Sequence, residues 1–551
     1  MNRPDWQPAA VYTAVALLVL GPLLLPGYIL MLDMVFTPHV PWPTVLSNLT
    51  PYNALMSIMS YLIPGWVLQK MVLILILVGA GLGMHRLVQV PNPWARYLAG
   101  VFYLINPFTY DRFMSGQYLV LAGYALMPWF VAALTRLIRR PERGNALRLA
   151  GWLLAISCVS LHTLGFAFTA LVVGLVIGVW RYRRRVRQSR RLALWLGAAL
   201  VILAVACSYW LLPLVSGRSQ QAGLIQGFDQ AQLLSFATVP DPTLGLPLNV
   251  LALHGFWVGG QDLYLSPKAV NPWWWAVALL VLVLAGIGAR PAWRHDRTKL
   301  VLISILGLTG FALALGVMDS PLAPINQWLF DNVPLMRGYR EPGKFIGLVA
   351  LAEAYLVGWG IDWLLERLSR ARRAALAQYV PGLLLVLPLL GTPTMVWAAG
   401  GQLHTSRYPA DWYALDQHLR AESDQRGRML FLPWHQYMTF QFSGRLMANP
   451  ASRFFSRSVI QGDNAEIGLI ERQDYNAQSA EVEDQILTPG AAGYDIGPAL
   501  AKLGVEYVVL AKAADYADYS WISRQPGLTL ESDTQTLEVY RNLKYVSEAR
   551  P

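Results

Sequence analysis

Apolar residues along this chain come in long unbroken blocks, with the polar residues gathered between them. A bilayer core about 30 Å thick takes about 20 apolar residues in a helix to cross. With that window the blocks fall near 9–32, 67–84, 94–107, 118–135, 149–161, 163–180, 192–213, 273–289, 300–317, 344–362 and 377–398. They predict about eleven transmembrane helices, of which the third and fifth are short. The first block is no cleavable signal peptide, because it is long, holds Gly21-Pro22 and Pro26-Gly27, and lacks a small-residue cleavage site. A further apolar stretch at 52–63 is too short to span and predicts a helix lying in the membrane interface. The pattern changes after 399, where β-rich runs at 429–433, 506–510 and 536–540 alternate with helical patterns at 409–421 and before Leu503-Gly504. The expected division is a transmembrane domain over 1–398 and a small α/β domain over 399–551.

Composition agrees with a membrane solvent. Of 551 residues 55% are hydrophobic and 14% charged, and there are 21 Trp, against roughly 25% charged residues in a soluble domain. A fully soluble enzyme is excluded. The net charge of +11 follows the topology. Segment 181–191 (RYRRRVRQSRR) has seven arginines and no acid, and further clusters lie at Arg136–Arg148, Arg290–Lys299 and Arg367–Arg373. Eleven spans with a cytoplasmic N-terminus put all four clusters in the cytoplasm, as positive-inside topology requires. The loops 33–66, 108–117, 214–272 and 318–343, and the tail, then lie outside, in a multi-pass protein of the plasma or inner membrane. The basic excess is a topology signal, and no nucleic-acid partner is expected.

Several chemistries lack their residues. There is no phosphate-binding Walker loop, and the string Gly79-Ala80-Gly81-Leu82-Gly83 lies within a span, where small residues serve helix packing. No HExxH motif occurs, the histidines are scattered, and the two cysteines, Cys158 and Cys207, sit in apolar runs. No metal site and no dissociable cofactor is expected.

Ionisable residues at the outer ends of helices remain. Asp33 follows the first span directly, where a carboxylate entering the bilayer core costs about 3 kcal/mol. The loop after it has no Lys or Arg from 33 to 66. A second group is Asp111, Arg112 and Gln117, in NPFTYDRFMSGQ at 106–117. A third is Arg337, Arg340, Glu341 and Lys344, in RGYREPGK at 337–344, where three cations stand on the side that usually lacks them. An anion at the outer interface accounts for them, and so does snorkelling to lipid phosphates. His162 and His254 are weaker candidates.

On the outer face neither ATP nor a nucleotide sugar is available, so an activated donor must arrive on a lipid. For a polyprenyl-phosphate sugar the leaving group is a phosphate, whose charge Arg112, Arg337, Arg340 and Lys344 suit. Asp33 is the candidate base that takes the acceptor's proton, with Asp111 in reserve. One base without a covalent intermediate implies a single displacement, with inversion at the anomeric carbon. Trp412, Trp434, His435 and Tyr437 in the tail are candidates for stacking on an acceptor, with Trp434 equally placed for the core.

The order of parts resembles the GT-C superfamily of polytopic membrane glycosyltransferases: an acid after the first span, an interfacial helix, many spans and an exoplasmic C-terminal domain. That resemblance implies the base role for Asp33 and an α-helical membrane fold. More narrowly, NPFTYDRFMSGQYLVLAGYALMPW at 106–129, MRGYREPGKFIGLVALA at 336–352, LPWHQYM at 432–438 and LGVEYVVLAKAADY at 503–516 are similar to segments of bacterial cell-wall arabinofuranosyltransferases and their relatives. It implies a polyprenyl-phosphate sugar as donor, arabinofuranose as its sugar, and a glycan or protein as acceptor. The tail here is shorter than the exoplasmic region of those enzymes, which bears on the acceptor first.

Two other classes compete. A flippase or transporter for a lipid-linked sugar calls for ionisable sites near the midplane, and Glu353, inside the tenth span, is one. A non-catalytic envelope-assembly membrane protein would bind a partner or glycan through its tail.

Overall fold

The computed structural model describes residues 6–217, 219, 230–318, 320–370, 374–422, 426–463 and 477–546. The chain divides into two units: Met1–Leu24, Pro43–Ala54 and Lys70–Leu403 form the first, and Leu25–Trp42, Leu55–Gln69 and His404–Pro551 the second.

Among the described residues eight helices are long and apolar enough to cross a membrane, nine if a pair bent by 85° (Gly382–Gly391 and Pro393–Gly400) is one span. This is an integral multi-pass membrane protein. The long helices are α1 (Trp6–Leu20, prolonged by a 3-10 turn), α3 (Gly65–Leu87), α6 (Tyr118–Arg139), α8 (Leu161–Arg181), α9 (Val186–Ala206), α10 (Trp274–His295), α11 (Arg297–Ala314) and α12 (Ile346–Arg370). Between them lie α2 (Thr50–Leu62), α4 (Pro93–Leu104), α5 (Pro107–Met114) and α7 (Arg143–Ser157), and after them α13 (Ala374–Gly391) and α14 (Ala410–Ala421).

The third and fifth apolar runs account for the difference between eleven and nine, and the bent pair for that between nine and eight. They form α4 and α7, of 12 and 15 residues, about 18 and 22 Å at 1.5 Å per residue, short of the bilayer core. Local chemistry ends α4. Ile105 leaves the helical region, Asn106 is extended with its side chain accepting from the Thr109 amide, and Pro107 opens α5. The stretch expected to lie in the interface forms the helix α2, with Leu55, Ile58, Tyr61 and Leu62 exposed on it.

Small residues set the helix packing of the first unit. A side chain on Gly81 or Gly83 would run into Tyr12 or Trp129, as the small-residue reading expects. Among the described glycines the tightest approach to another backbone is between α10 and α12. A Cβ on Gly288 would fall 2.0 Å from the Leu356 carbonyl oxygen, and one on Gly360 would fall 2.0 Å from that of Leu284.

The second unit is built on a five-stranded sheet in the order β4-β1-β5-β7-β6, from β1 (Arg428–Leu432), β4 (Val459–Ile460), β5 (Val505–Ala511), β6 (Leu528–Asp533) and β7 (Leu537–Asn542). β1 runs parallel to β4 and β5, and β7 antiparallel to β5 and β6. A separate hairpin joins β2 (Tyr437–Phe440) to β3 (Arg445–Ala448). β5 is buried at all seven positions, and Leu430, Ile486, Leu500, Val508 and Trp434 are among the core residues around it. Trp412 and Trp434 are both buried, with the Trp434 indole donating to Glu483 at 3.0 Å. Burial corrects the expectation that these two rings face a sugar. His435 and Tyr437 are half-buried.

Candidate active site

Asp33 belongs to the second unit, and main-chain bonds hold it at the tip of a turn. Met31 and Met34 bond reciprocally (Met31 N to Met34 O 3.3 Å, Met34 N to Met31 O 2.8 Å), and Leu32 between them has φ +42°. A bulky residue in the left-handed region is strained and persists only where its surroundings impose it. They do so here. The Leu32 amide donates to the Leu446 carbonyl (2.8 Å), the Ala448 amide donates to the Leu32 carbonyl (2.9 Å), and upstream Tyr28 and Ser406 exchange two further bonds. Gln69 pairs with both main-chain groups of Ile29 (2.8 and 2.7 Å). Ile29–Leu32 and Met34–Phe36 are buried while Asp33 is exposed. The Tyr437 hydroxyl donates to Asp33 Oδ1 at 2.5 Å.

The other candidates belong to the first unit. There the structure joins the motif at 106–117 to the loop before α12. Arg112, 1% exposed, makes an ion pair with Glu341 and donates to Gln117 Oε1 at 2.8 Å. Its guanidinium lies 4.1 Å from the Phe256 ring centre and 5.3 Å from that of Phe108. Lys344 Nζ reaches Glu341 Oε2 at 3.1 Å and His162 Nε2 at 3.1 Å. The same Nε2 lies 3.1 Å from the Gly338 carbonyl oxygen, and its tautomer decides which of the two contacts is the hydrogen bond, while the Tyr339 hydroxyl donates to the His162 carbonyl oxygen (2.8 Å). Burial raises the proton affinity of Glu341, but Arg112 and Lys344 outweigh it and hold the carboxyl well below the usual range. Arg340 points elsewhere, donating to Gln232 at 2.6 Å with its guanidinium 4.5 Å from the Phe236 ring centre. Arg337, half-buried, ends a one-turn helix and has no ion pair among the described residues.

Asp111 faces the long loop before α10. It is buried and accepts from the Tyr264 hydroxyl at 3.1 Å. Burial pushes its carboxyl up to about 7, with Arg112, Tyr264 and Lys268 opposing the shift. Lys268 bonds Asp241 (2.7 Å) and Asn249 (2.6 Å) and lies 4.0 Å from the Trp274 ring centre. His254 is buried edge-on to Trp274, and burial and then Lys268 lower its pKa to about 3, so it is neutral and packed.

Arg112, Gln117, Glu341 and Lys344 are thus brought into one network, Asp111 borders it, and Arg337, Arg340 and His254 stand outside it. The sequence ranks His162 low and does not single out Tyr264 or Lys268, although these residues complete the surroundings. A His beginning an apolar span, two residues after the helix-capping Ser160, was the available signal for the first. The other two sit in a loop without periodicity. Glu353 is buried in α12, and its Oε1 has no hydrogen-bond partner among the described residues. Among those residues no three His, Cys, Asp or Glu side chains gather as metal ligands do.

No protein-family model and no curated protein matches the chain. Solved structures do. The arabinofuranosyltransferase AftD from Mycobacteria matches 98% of this chain at TM-score 0.58 and 17% identity, over 40% of its own length. A point mutant of the same mycobacterial enzyme matches 100% of this chain at TM-score 0.59 and 17% identity, over 42% of its own length. The chain spans about two fifths of the length of these structures.

Proposed function

We propose that this chain, which has the GT-C-like fold of a membrane glycosyltransferase, moves a sugar from a polyprenyl-phosphate donor to a glycan or protein acceptor, with inversion. The observation that carries the reading is the fold match to an arabinofuranosyltransferase over 98% of the chain. It also favours arabinofuranose as the sugar. Asp33 takes the proton of the acceptor hydroxyl. The hydroxyl oxygen forms its bond to the anomeric carbon as the bond from that carbon to the phosphate oxygen breaks, and the electron pair leaves with polyprenyl phosphate. Arg337, Arg340 and Lys344 offset that charge. Arg112, buried and paired with Glu341, anchors the basic loop to the motif at 106–117.

The N-terminus and the arginine clusters face the cytoplasm in this reading, and the second unit lies outside. A Cys placed at the exposed Gln417 of α14 tests the side, because native Cys158 and Cys207 are half-buried and buried. An impermeant maleimide should label it on intact cells, and labelling only after permeabilisation rejects the topology. The chemistry is tested by assaying purified protein against a panel of polyprenyl-phosphoryl monosaccharides. Transfer from at least one of them is expected, and transfer from a soluble nucleotide sugar without lipid carrier would reject the donor class.

A further inference from the structure

Tyr437 and Asp33 are 404 positions apart, yet the same hairpin grips both within the second unit. Tyr437 opens β2 and pairs across to Ala448 of β3. The Ala448 amide donates to the carbonyl of Leu32, the residue before Asp33, and the Leu32 amide donates to Leu446 of the same strand. The main chain therefore fixes the phenol relative to the carboxylate. The side chains complete the link with the 2.5 Å bond from the Tyr437 hydroxyl to Oδ1, the length of a charge-assisted O–H···O bond. The hydroxyl is not what stabilises the hairpin, whose apolar residues Met438, Phe440 and Met447 are buried.

Resting on the reading of Asp33 as the base, we propose that Tyr437 is its positioning residue, so that the C-terminal region contributes to the chemical step itself. The side-chain torsion of an Asp carboxyl is broad, and Asp33 stands exposed at a turn tip. A fixed donor on Oδ1 selects one rotation of the carboxylate and so directs its lone pairs toward one acceptor approach. A base must lie within about 2.6–3.2 Å of the proton it removes, and misplacement by about 1 Å is enough to cost 10²-fold in rate.

The test is a double-mutant cycle on the full-length protein, with polyprenyl-phosphoryl arabinofuranose as donor and an arabino-oligosaccharide as acceptor. Tyr437→Phe should lower kcat by about tenfold, the scale of one hydrogen bond to a charged group, with the donor KM and the thermal midpoint unchanged. In an Asp33→Asn background the same change should cost less than about twofold, because a residue acting through Asp33 has nothing left to position. Equal losses in both backgrounds, or a Tyr437→Phe enzyme at the parent kcat, overturn the inference and leave the base reading standing. Asp33→Asn at the parent rate overturns the base reading itself, and Tyr437 then has no base to position.

Discussion

Asp33 and Asp111 are the two candidate acids, and the two units treat them in opposite ways. Asp33 is exposed on a turn held by main-chain bonds, with a phenol on one oxygen. Asp111 is buried beside Arg112, with a phenol on one oxygen as well, and its carboxyl is pushed up to about 7. A base has to be ionised and within reach of an acceptor hydroxyl. Asp33 is open to solvent, whereas Asp111 is buried and its carboxyl is raised by that burial. Spacing to the nearest apolar block does not separate them; the environment does.

Replacement of each acid by its amide is the sharpest way to break that contrast. Asp33→Asn should fold normally and transfer sugar 10²–10⁴-fold more slowly, about the worth of general base catalysis. Asp111→Asn should stay within about tenfold of the parent, since it keeps the shape and a hydrogen-bonding oxygen. Rates measured on the two proteins in parallel decide it, and the reverse order would move the base to Asp111.

The next effect is on stability. Glu341→Gln leaves Arg112, 1% exposed, without its counter-charge, and breaking a buried pair from one side costs about 3–5 kcal/mol. A marked fall in the thermal midpoint in detergent is expected. An unchanged midpoint would mean that the pair does not anchor the loop before α12.

A further effect is one of pH. The folded Asp111 carboxyl is raised from 3.8 to about 7, so between these values the folded chain holds a proton that the unfolded chain has released. Its contribution is full below pH 3.8 and is lost as pH rises toward 7. Glu341 is shifted the other way, and its contribution is present above its ordinary value of 4.5 and lost on acidification below it. The parent midpoint should therefore carry a downward slope from about pH 4 to pH 7 that Asp111→Asn removes. A slope that survives the substitution assigns it to another group.

Much of the plan was legible because its signals are local. The apolar blocks mark the helices. The stretch at 52–63 is α2, and the runs at 429–433, 506–510 and 536–540 lie on β1, β5 and β7. A residue count alone overstated α4 and α7, because Asn106-Pro107 and the turn at Cys158 end those helices before the apolar run does. The placement of Leu25–Trp42 with the C-terminal residues was not legible. It rests on main-chain bonds to β3, which any side chain permits. The site divides in the same way. Arg112 and Glu341 stand out as charges in apolar surroundings, but their pairing across 229 positions leaves no periodic trace.

The contact of Gly288 with Leu356 and of Gly360 with Leu284 has a mechanical meaning. Two helices whose backbones touch with no side chain between them act like clamped rods: neither can slide by a turn or rotate on its axis without first lifting away. α12 carries the basic loop at its N-terminal end, so that loop is mounted on a fixed post. If the donor is the lipid proposed above, the motion that admits and releases it is to be sought in the connecting segments, and crosslinks across α10 and α12 should leave turnover intact.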